Sequence, residues 1–228
     1  MTVDAERTPR VLFILYSFSE QTRRTVAAMA DAARARGWDA TTAEIEFTDP
    51  RYASRFSKVP MHRPLLEIVG MLPAQLRRRT GEIRIPPEAE TGDHDLVVFG
   101  SPTWWLTTNM PIRSYLESPA ARTTLAGKPF AAASVSRRYY KGNLKTIRAL
   151  GEECHGTWVD ATHFLVAGNQ VTSMLAWLAY MKHGEARERV LGIKMPPPNL
   201  KPDFELQAQR FINGVVDRTS RERAAAAA

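Results

Sequence analysis

Short apolar runs alternate with amphipathic stretches along the chain. Residues 11–16 form a continuous apolar run bounded by polar residues, a pattern typical of a strand buried on both faces of a parallel sheet. A helical pattern follows over 21–36 and is stopped by Gly37. Its apolar residues recur at the spacing of one helix face: Val26, Met29, Ala30 and Ala33. The start of the chain therefore predicts a strand followed by an amphipathic helix.

The same alternation continues to about residue 167. The pattern predicts four more strands, at 40–47, 95–100, 129–135 and 158–167. It predicts two more helices in this part of the chain, at 110–116 and 142–154. Five strands separated mainly by helices indicate an α/β sheet with right-handed crossovers.

Four segments fall outside this alternation. We expect residues 1–9 to form a loose arm before a domain that spans 10–169. Within that domain, residues 48–94 are too long for a simple connection, and we interpret them as an insertion. A helical extension is expected over 170–220, followed by a tail at 221–228.

Apolar patterns also mark the insertion and the extension. The insertion has a helix-like apolar face, interrupted by Pro73: Leu65, Val69, Leu72 and Leu76. The extension starts with an almost wholly apolar stretch at 171–181, for which core packing is the first interpretation. A lid over a ligand, a dimer face and the wall of a substrate site are its alternatives. A later helix presents a second apolar face: Phe204, Ala208, Phe211, Ile212 and Val215.

Composition and charge narrow the classes of protein. The 228 residues are 44% hydrophobic and 24% charged, which is enough apolar side chain for a buried core. No apolar run approaches the ~18 residues of a membrane span, and a single cysteine excludes an intrachain disulfide, so a cytoplasmic protein is expected. The net charge of +7 favours acidic partners such as phosphorylated cofactors. A nucleic-acid partner is not expected, because the arginine run and the tryptophan pair lie in different segments.

The motifs of several catalytic classes are missing from the sequence. Neither the nucleoside-triphosphate loop GxxxxGK[ST] nor the dinucleotide fingerprint GxGxxG is present. The five histidines have no metal-ligand spacing, and there is no GxSxG motif. The one thiol, Cys154, shares a helix face with apolar residues and is expected to be buried and inert. We therefore expect no metal site and no serine hydrolase.

The loop after the first strand, which we call the phosphate loop, places hydroxyl groups beside a helix start. It reads Ser17-Phe18-Ser19-Glu20-Gln21-Thr22. Ligands of open parallel sheets bind at the carboxyl ends of the strands, where the strand order reverses. N–H groups at a helix start, assisted by Ser and Thr hydroxyls, can bind a phosphate monoester. The alternative is a capping box, in which Ser17 and Glu20 satisfy the N–H groups of the helix start.

Two later strand ends also gather polar and aromatic residues. One reads Gly100-Ser101-Pro102-Thr103-Trp104-Trp105, and the other reads Ser134-Val135-Ser136-Arg137-Arg138-Tyr139-Tyr140. Two adjacent tryptophans are costly to leave at a surface unless a flat ligand covers them. Packing beneath the insertion is the alternative for the tryptophans, and a solvated turn is the alternative for the second loop.

These motifs resemble those of a known family. Residues 17–22 are similar to the T-x-T-G-x-T phosphate loop of flavodoxin-like proteins. Residues 100–105, followed by Asn109-Met110-Pro111, resemble the GSPTYW...NMP segment of flavodoxin-like FMN-dependent NAD(P)H:quinone reductases. The resemblance spans roughly residues 11–168, and it implies a flavodoxin-like, doubly wound five-stranded parallel sheet with helices on both faces.

The resemblance implies a noncovalently bound FMN. Its phosphate is expected at the phosphate loop, its ring against residues 102–105, and its far edge at residues 136–140. The cofactor-binding residues that the resemblance implies are Ser17, Ser19, Glu20, Gln21, Thr22, Pro102, Thr103, Trp104, Trp105, Ser136 and Arg137. Because Glu20 stands where the family has glycine, its carboxylate is expected to turn outward, to the helix start or to Arg23 or Arg24.

The resemblance also implies an activity. Hydride would pass from NADPH or NADH through the flavin to a small quinone-like or aromatic acceptor. Assisting groups would be Tyr139 or Tyr140 as proton donor, and Arg137 or Arg138 as a stabilising cation. A homodimer or homotetramer is expected by the same resemblance. The alternatives are a flavodoxin-type one-electron carrier, which the positive charge disfavours, and a flavin-free protein of the same fold in a biosynthetic pathway.

Overall fold

The computed structural model describes residues 7–52, 60–196 and 199–227. Its elements are, in chain order, β1 (Arg10–Leu15), α1 (Gln21–Ala35), β2 (Asp39–Glu44), β3 (Glu46–Phe47), α2 (Pro64–Leu76), β4 (Ile83–Arg84), a 3₁₀ turn (Pro87–Ala89), β5 (Leu96–Trp104), β6 (Thr107–Thr108), α3 (Met110–Leu116), α4 (Pro119–Leu125), β7 (Pro129–Ser136), α5 (Lys141–Glu153), β8 (Thr157–Leu165), α6 (Gln170–His183), β9 (Arg189–Val190), β10 (Ile193–Lys194) and α7 (Phe204–Ala227). Most of the predicted arm at 1–9 lies outside the described residues.

Five parallel strands form the central sheet in the order β2-β1-β5-β7-β8. The first apolar run is β1, which pairs with β2 on one side and with β5 on the other. Its residues 11–14 are wholly buried. The chain winds outward from β1 to β2 and then crosses back to β5, so the strand order reverses between β1 and β5. The predicted α/β fold class, with a doubly wound sheet, is confirmed.

Helices cover both faces of the sheet. On one face, α1 and α7 bury a core that includes Met29 and Ile212. On the other face, α3, α4 and α5 bury a second core that includes Tyr115, Leu125 and Ile147. Because both faces are covered, the central strands carry continuous apolar runs rather than alternating ones.

The last helix, α7, belongs to the core beside α1. Its predicted apolar face is buried, except that Phe211 is only partly covered. The helix continues to Ala227, so the part of the predicted tail at 221–227 is helical. The segment predicted as an extension therefore has two parts. One part is α6 with the β9–β10 hairpin, and the other is α7, which completes the cover of the sheet.

The insertion folds onto the edge of this sheet. Within it β3 pairs with β4, and the Asp49 carboxylate accepts hydrogen bonds from Arg51 and from the Glu82 N–H group. The predicted apolar face of α2 is wrong, because Leu65, Val69 and Leu76 are exposed. The helix instead buries the face that carries Met71, Ala74 and Gln75. This face packs towards Met110, Phe47 and Trp104, and Gln75 donates a hydrogen bond to the Thr108 carbonyl.

Two predicted strands have other bounds in the structure. The strand predicted at 40–47 ends at Glu44, because Glu46 and Phe47 pair with Ile83–Arg84 instead of with β1. The strand predicted at 95–100 continues to Trp104 and folds back as β6. Cys154 is buried as predicted, and its Sγ donates to the Leu116 carbonyl at 3.2 Å. In the described part of the chain, no helix has the length and apolar character needed to cross a bilayer.

Candidate functional site

The loops that follow β1, β5 and β7 meet at one edge of the sheet. These three strands are neighbours and parallel, so their carboxyl ends lie side by side. The order reversal between β1 and β5 opens a crevice at this edge. All the predicted cofactor-binding residues lie in these three loops or at the strand and helix ends that flank them.

The phosphate loop turns sharply at Glu20. This residue has φ 62° and ψ −18°, a left-handed conformation that favours glycine. Its carboxylate forms an ion pair with Arg23, and Arg23 also donates to both carboxylate oxygens of Glu44 at 2.8 Å. The expected outward turn of the Glu20 side chain is confirmed. The backbone therefore follows a glycine-like path while the extra charge is neutralised.

The capping-box alternative for this loop is wrong. It requires Ser17 to be the residue that precedes the helix, but α1 begins at Gln21 and Glu20 precedes it without a side-chain cap. Ser17 Oγ accepts one weak hydrogen bond, from the Arg23 N–H group at 3.3 Å. Within the described residues, the N–H groups of Ser19, Gln21 and Thr22 donate no hydrogen bond. A row of free donors thus lies at the start of α1.

The side chain of Gln21 has a different role from the one predicted. Its Oε1 accepts from the Leu200 N–H group, and its Nε2 lies 3.3 Å from Asn199 Oδ1. Gln21 therefore ties the phosphate loop to the chain just before α7, and only its N–H group remains for a ligand. Thr22 is buried, with its methyl group next to Gly100.

The two tryptophans after β5 differ in packing and exposure. Trp104 packs edge-to-face against Tyr16 and Phe47, with centroids 5.6 and 6.4 Å away, beneath the insertion. This is the packing alternative named above. Trp105 lies at the tip of the β5–β6 turn with φ 57°, and it is 37% exposed beside Leu106. Trp105 is thus the more exposed of the two rings, and Trp104 is only partly buried.

Below this turn, two buried asparagines hold the strand ends together. Asn109 Nδ2 donates to Ser101 Oγ at 2.8 Å and to the Pro102 carbonyl at 2.9 Å. Asn143, on α5, donates to Ser134 Oγ at 2.9 Å and to the Ser101 carbonyl at 3.1 Å. Thr103 Oγ1 lies 3.0 Å from Ser134 Oγ in the same network. Pro102 and Thr103 are therefore fixed in place by bonds between β5, β7 and α5.

The loop after β7 holds a buried cation. The Arg137 guanidinium lies 4.7 Å from the ring centroid of Trp177 on α6, and burial lowers the pKa of Arg137 to about 10. It remains charged at neutral pH. Within the described residues, Ser136 Oγ and Arg137 Nε are buried without a hydrogen-bond partner. Such groups are costly to bury unless a ligand or water satisfies them.

The other residues of this loop differ in their exposure to solvent. Tyr140 stacks on His163 with centroids 3.6 Å apart, and its ring is therefore held against the sheet edge. Tyr139 is half exposed, and Arg138 is exposed. Of the residues predicted to assist the reaction, Tyr139 and Arg138 are thus exposed, whereas Arg137 and Tyr140 are partly buried.

A cavity of about 690 Å³ lies between the phosphate loop and the segment that follows β8. One wall is Ser19, Glu20 and Gln21. The other walls come from α6, the β9–β10 hairpin and the strand end before α7, with these residues: Trp177, Tyr180, Ala186, Arg187, Glu188, Arg189, Lys194, Met195, Pro196 and Asn199. Trp177 joins this cavity to the Arg137 side of the site.

Comparison with known proteins identifies the fold through structure alone. No family model and no curated protein matches the sequence. A flavodoxin from the domain Archaea superposes with a TM-score of 0.51 at 9% identity, over 92% of this chain and 99% of its own. Oxidised flavodoxin 1 from Bacillus cereus superposes with a TM-score of 0.51 at 10% identity, over 91% and 97%. This chain has a flavodoxin-like fold.

The resemblance in the sequence motifs implies FMN, and some of the residues at this sheet edge could hold such a group. Free N–H groups at the start of α1 suit a phosphate, and the two unpartnered atoms at Ser136 and Arg137 suit the polar edge of a ring. Trp104 packs against the insertion and is only partly buried, so its contact with a ring stays a prediction. In the ranges that the structure describes, no group of three or more side chains could hold a metal ion.

Sequence reasoning missed two parts of this candidate site. Asn143 gave no signal, because one asparagine on a helix does not reveal its contacts across the sheet. The cationic residues of the β9–β10 hairpin had a weak signal in the local pattern Arg187-Glu188-Arg189 before Leu191-Gly192. Both of these turn residues have positive φ, 50° and 78°, as in a type I′ hairpin turn.

Proposed function

We propose that this protein is a flavoprotein that binds FMN noncovalently and transfers electrons from NAD(P)H to a small quinone-like or aromatic acceptor. The observation that supports it most is the row of free N–H groups at Ser19, Gln21 and Thr22. They stand at the point where the strand order of the sheet reverses. An anionic group there would satisfy several donors at once and would also meet the positive end of α1.

The phosphate end of the cofactor would be held by the phosphate loop. Backbone N–H groups are the main donors, with the hydroxyls of Ser17 and Ser19 beside them. The ion pair between Glu20 and Arg23 reduces the repulsion between that carboxylate and a phosphate. Gln21 contributes its N–H group, while its side chain keeps the loop attached to residues 199–200.

The ring end would lie between the loops after β5 and β7. When bound, FMN supplies the two-electron hydride chemistry, which no side chain of this chain can supply. Ser136 Oγ would donate or accept a hydrogen bond at the ring edge, and the Arg137 cation would stabilise negative charge there. The acceptor would meet the exposed aromatic groups of Trp105 and Tyr139. Tyr139 and Arg138 are the candidates to assist in proton transfer or to hold an anionic acceptor.

A visible absorption spectrum of the purified protein, followed by titration with FMN and with riboflavin, tests the proposal. We expect flavin absorption, tighter binding of FMN than of riboflavin, and oxidation of NADH or NADPH when a benzoquinone is added. Slow turnover with reduction in two separate one-electron steps would identify a carrier instead. A colourless protein that ignores added FMN would overturn the flavin assignment.

A double variant tests the phosphate end directly. Ser17→Ala with Ser19→Ala is expected to weaken FMN binding by about tenfold, since each hydroxyl contributes about 0.5–1.5 kcal/mol. Riboflavin, which lacks the phosphate, should bind as before. Thr123→Ala, at an exposed position on α4, is the matched control. Equal losses for FMN and riboflavin would place the phosphate elsewhere.

A further inference from the structure

The cavity beside the phosphate loop is lined by an excess of cationic side chains. Three of them, Arg187, Arg189 and Lys194, come from the segment 187–194, which contains β9 and β10 and which we call the cationic hairpin. Two carboxylates, Glu20 and Glu188, also line the cavity. Because Glu20 already pairs with Arg23, the wall as a whole is positive.

Two of the hairpin cations contact groups other than carboxylates. Arg189 donates to the Gly192 carbonyl at 3.1 Å, and the Arg187 guanidinium lies 3.3 Å from His183 Nδ1. In the ranges 7–52, 60–196 and 199–227, none of the three hairpin cations takes part in an ion pair. Exposed cations are common on convex protein surfaces, where water solvates them. These three cations instead lie together on the concave wall of one cavity. Like charges gathered around a cavity favour an anion within it.

The hairpin that carries these cations is an ordered element. Val190 and Ile193 pair across it, and the Met195 N–H group donates to the Glu188 carbonyl at 2.8 Å. The chain then continues to Asn199 and Leu200, which Gln21 holds by its side chain. The phosphate loop is therefore hydrogen-bonded to residues 199–200, which follow the cationic hairpin in the chain, and the loop and the hairpin form two walls of one cavity.

We propose that Arg187, Arg189 and Lys194 form a clamp that binds the phosphate dianion of a mononucleotide against the phosphate loop. The inference rests on the proposed function, because the same loop would hold the phosphate of FMN. The loop alone offers N–H groups and hydroxyls, which bind a phosphate without neutralising it. The hairpin supplies the opposite charge and offsets the carboxylate at Glu20. The clamp thus makes the site specific for phosphorylated ligands.

The test compares FMN with riboflavin on full-length protein stripped of any flavin. The clamp variant is Arg187→Gln, Arg189→Gln, Lys194→Gln. The control variant, Arg122→Gln, Lys145→Gln, Arg210→Gln, removes three exposed cations from α4, α5 and α7 and so has the same net charge. Affinities are measured by flavin fluorescence quenching, and inorganic phosphate is tested separately by its effect on the melting temperature. Circular dichroism establishes that both variants are folded.

The clamp variant is expected to bind FMN at least about tenfold more weakly than the wild type, because the phosphate dianion loses three nearby positive charges. Its affinity for riboflavin should be unchanged. The control variant should bind both as the wild type does. In the wild type, added salt should weaken FMN binding more steeply than riboflavin binding. This salt dependence tests the clamp even if the triple variant does not fold.

The outcomes separate the clamp from the flavin assignment. Equal FMN affinity in the wild type and the clamp variant would overturn the clamp while leaving the flavin proposal intact. If no flavin binds but inorganic phosphate raises the melting temperature of the wild type more than that of the clamp variant, the clamp stands and the flavin assignment fails. If neither flavin nor phosphate binds, both proposals are overturned.

Discussion

Asn143 is the side chain whose removal should most disturb the edge of the sheet that carries the proposed site. It is fully buried on α5 and bonds to both β5 and β7. Its Nδ2 donates to Ser134 Oγ at 2.9 Å and to the Ser101 carbonyl at 3.1 Å, and its Oδ1 accepts from Ser101 Oγ at 3.1 Å. Asn109 Nδ2 donates to Ser101 Oγ at 2.8 Å in the same network.

The cost of Asn143→Ala follows from these bonds. At about 1 kcal/mol net for each hydrogen bond, the loss amounts to about 3 kcal/mol of the free energy of unfolding. For a chain of this size, that corresponds to a fall of roughly 6–12 °C in the melting temperature. Lys145→Ala, at an exposed position on the same helix, should change the stability by no more than about 0.5 kcal/mol.

Urea unfolding of these two variants measures the change in the free energy of unfolding. A double-mutant cycle that combines Asn143→Ala with Ser134→Ala measures how far the two side chains are coupled. We expect the two substitutions in the cycle to be coupled by more than about 0.5 kcal/mol, since they remove the same bond. A loss below about 1 kcal/mol for Asn143→Ala, or strictly additive effects, would refute the claim that the network holds the strand ends.

Three further substitutions test local features. The free energy of unfolding of Glu20→Gly should exceed that of Glu20→Ala by about 1 kcal/mol. Both variants lose the carboxylate, but only alanine places a side chain at a residue with positive φ. Equal urea midpoints for the two variants would contradict this. Burial lowers the pKa of His163 from 6.5, so the unfolded chain binds more protons and stability is lost as the pH falls below that value. His163→Phe should therefore flatten the decline of the urea midpoint between about pH 7 and about pH 5, and an unchanged slope would count against it. The added methyl group of Gly142→Ala would overlap the Leu106 carbonyl, and we expect a loss of about 2 kcal/mol in the free energy of unfolding. The methyl group of Gly214→Ala would meet open space, so this control should not be destabilised. Similar melting temperatures for the two variants would contradict the expected clash.

The sheet could be predicted because its signals are local. Each central strand is a short apolar run, and α1 has its apolar residues at helical spacing before Gly37. The order of the strands could not be obtained in that way, because the pairing of β1 with both β2 and β5 joins residues far apart in the chain. The resemblance in the strand-end motifs implied a doubly wound sheet, and the structure gives its strand order.

The insertion and the tryptophan pair show where local patterns fail. Leu65, Val69 and Leu76 have helical spacing, but tertiary packing buries the neighbouring face of α2. Trp104 and Trp105 are adjacent, yet strand alternation sends one beneath the insertion and the positive φ of the other turns it to solvent. Adjacency in sequence did not place both indoles on one ligand.

The phosphate loop was located from its hydroxyls and its position after β1, whereas the opposite wall of the cavity was not. That wall depends on contacts between distant parts of the chain, such as the bonds of Gln21 to Asn199 and Leu200, more than 170 residues away. No periodicity within residues 187–194 could indicate it.

A crystal structure grown in the presence of FMN tests the central claim most directly. The account predicts the phosphate within hydrogen-bond distance of the N–H groups of Ser19, Gln21 and Thr22, at the carboxyl end of β1. An FMN whose phosphate binds away from this loop, or a loop that closes on its own side chains and leaves no room for it, would contradict the account.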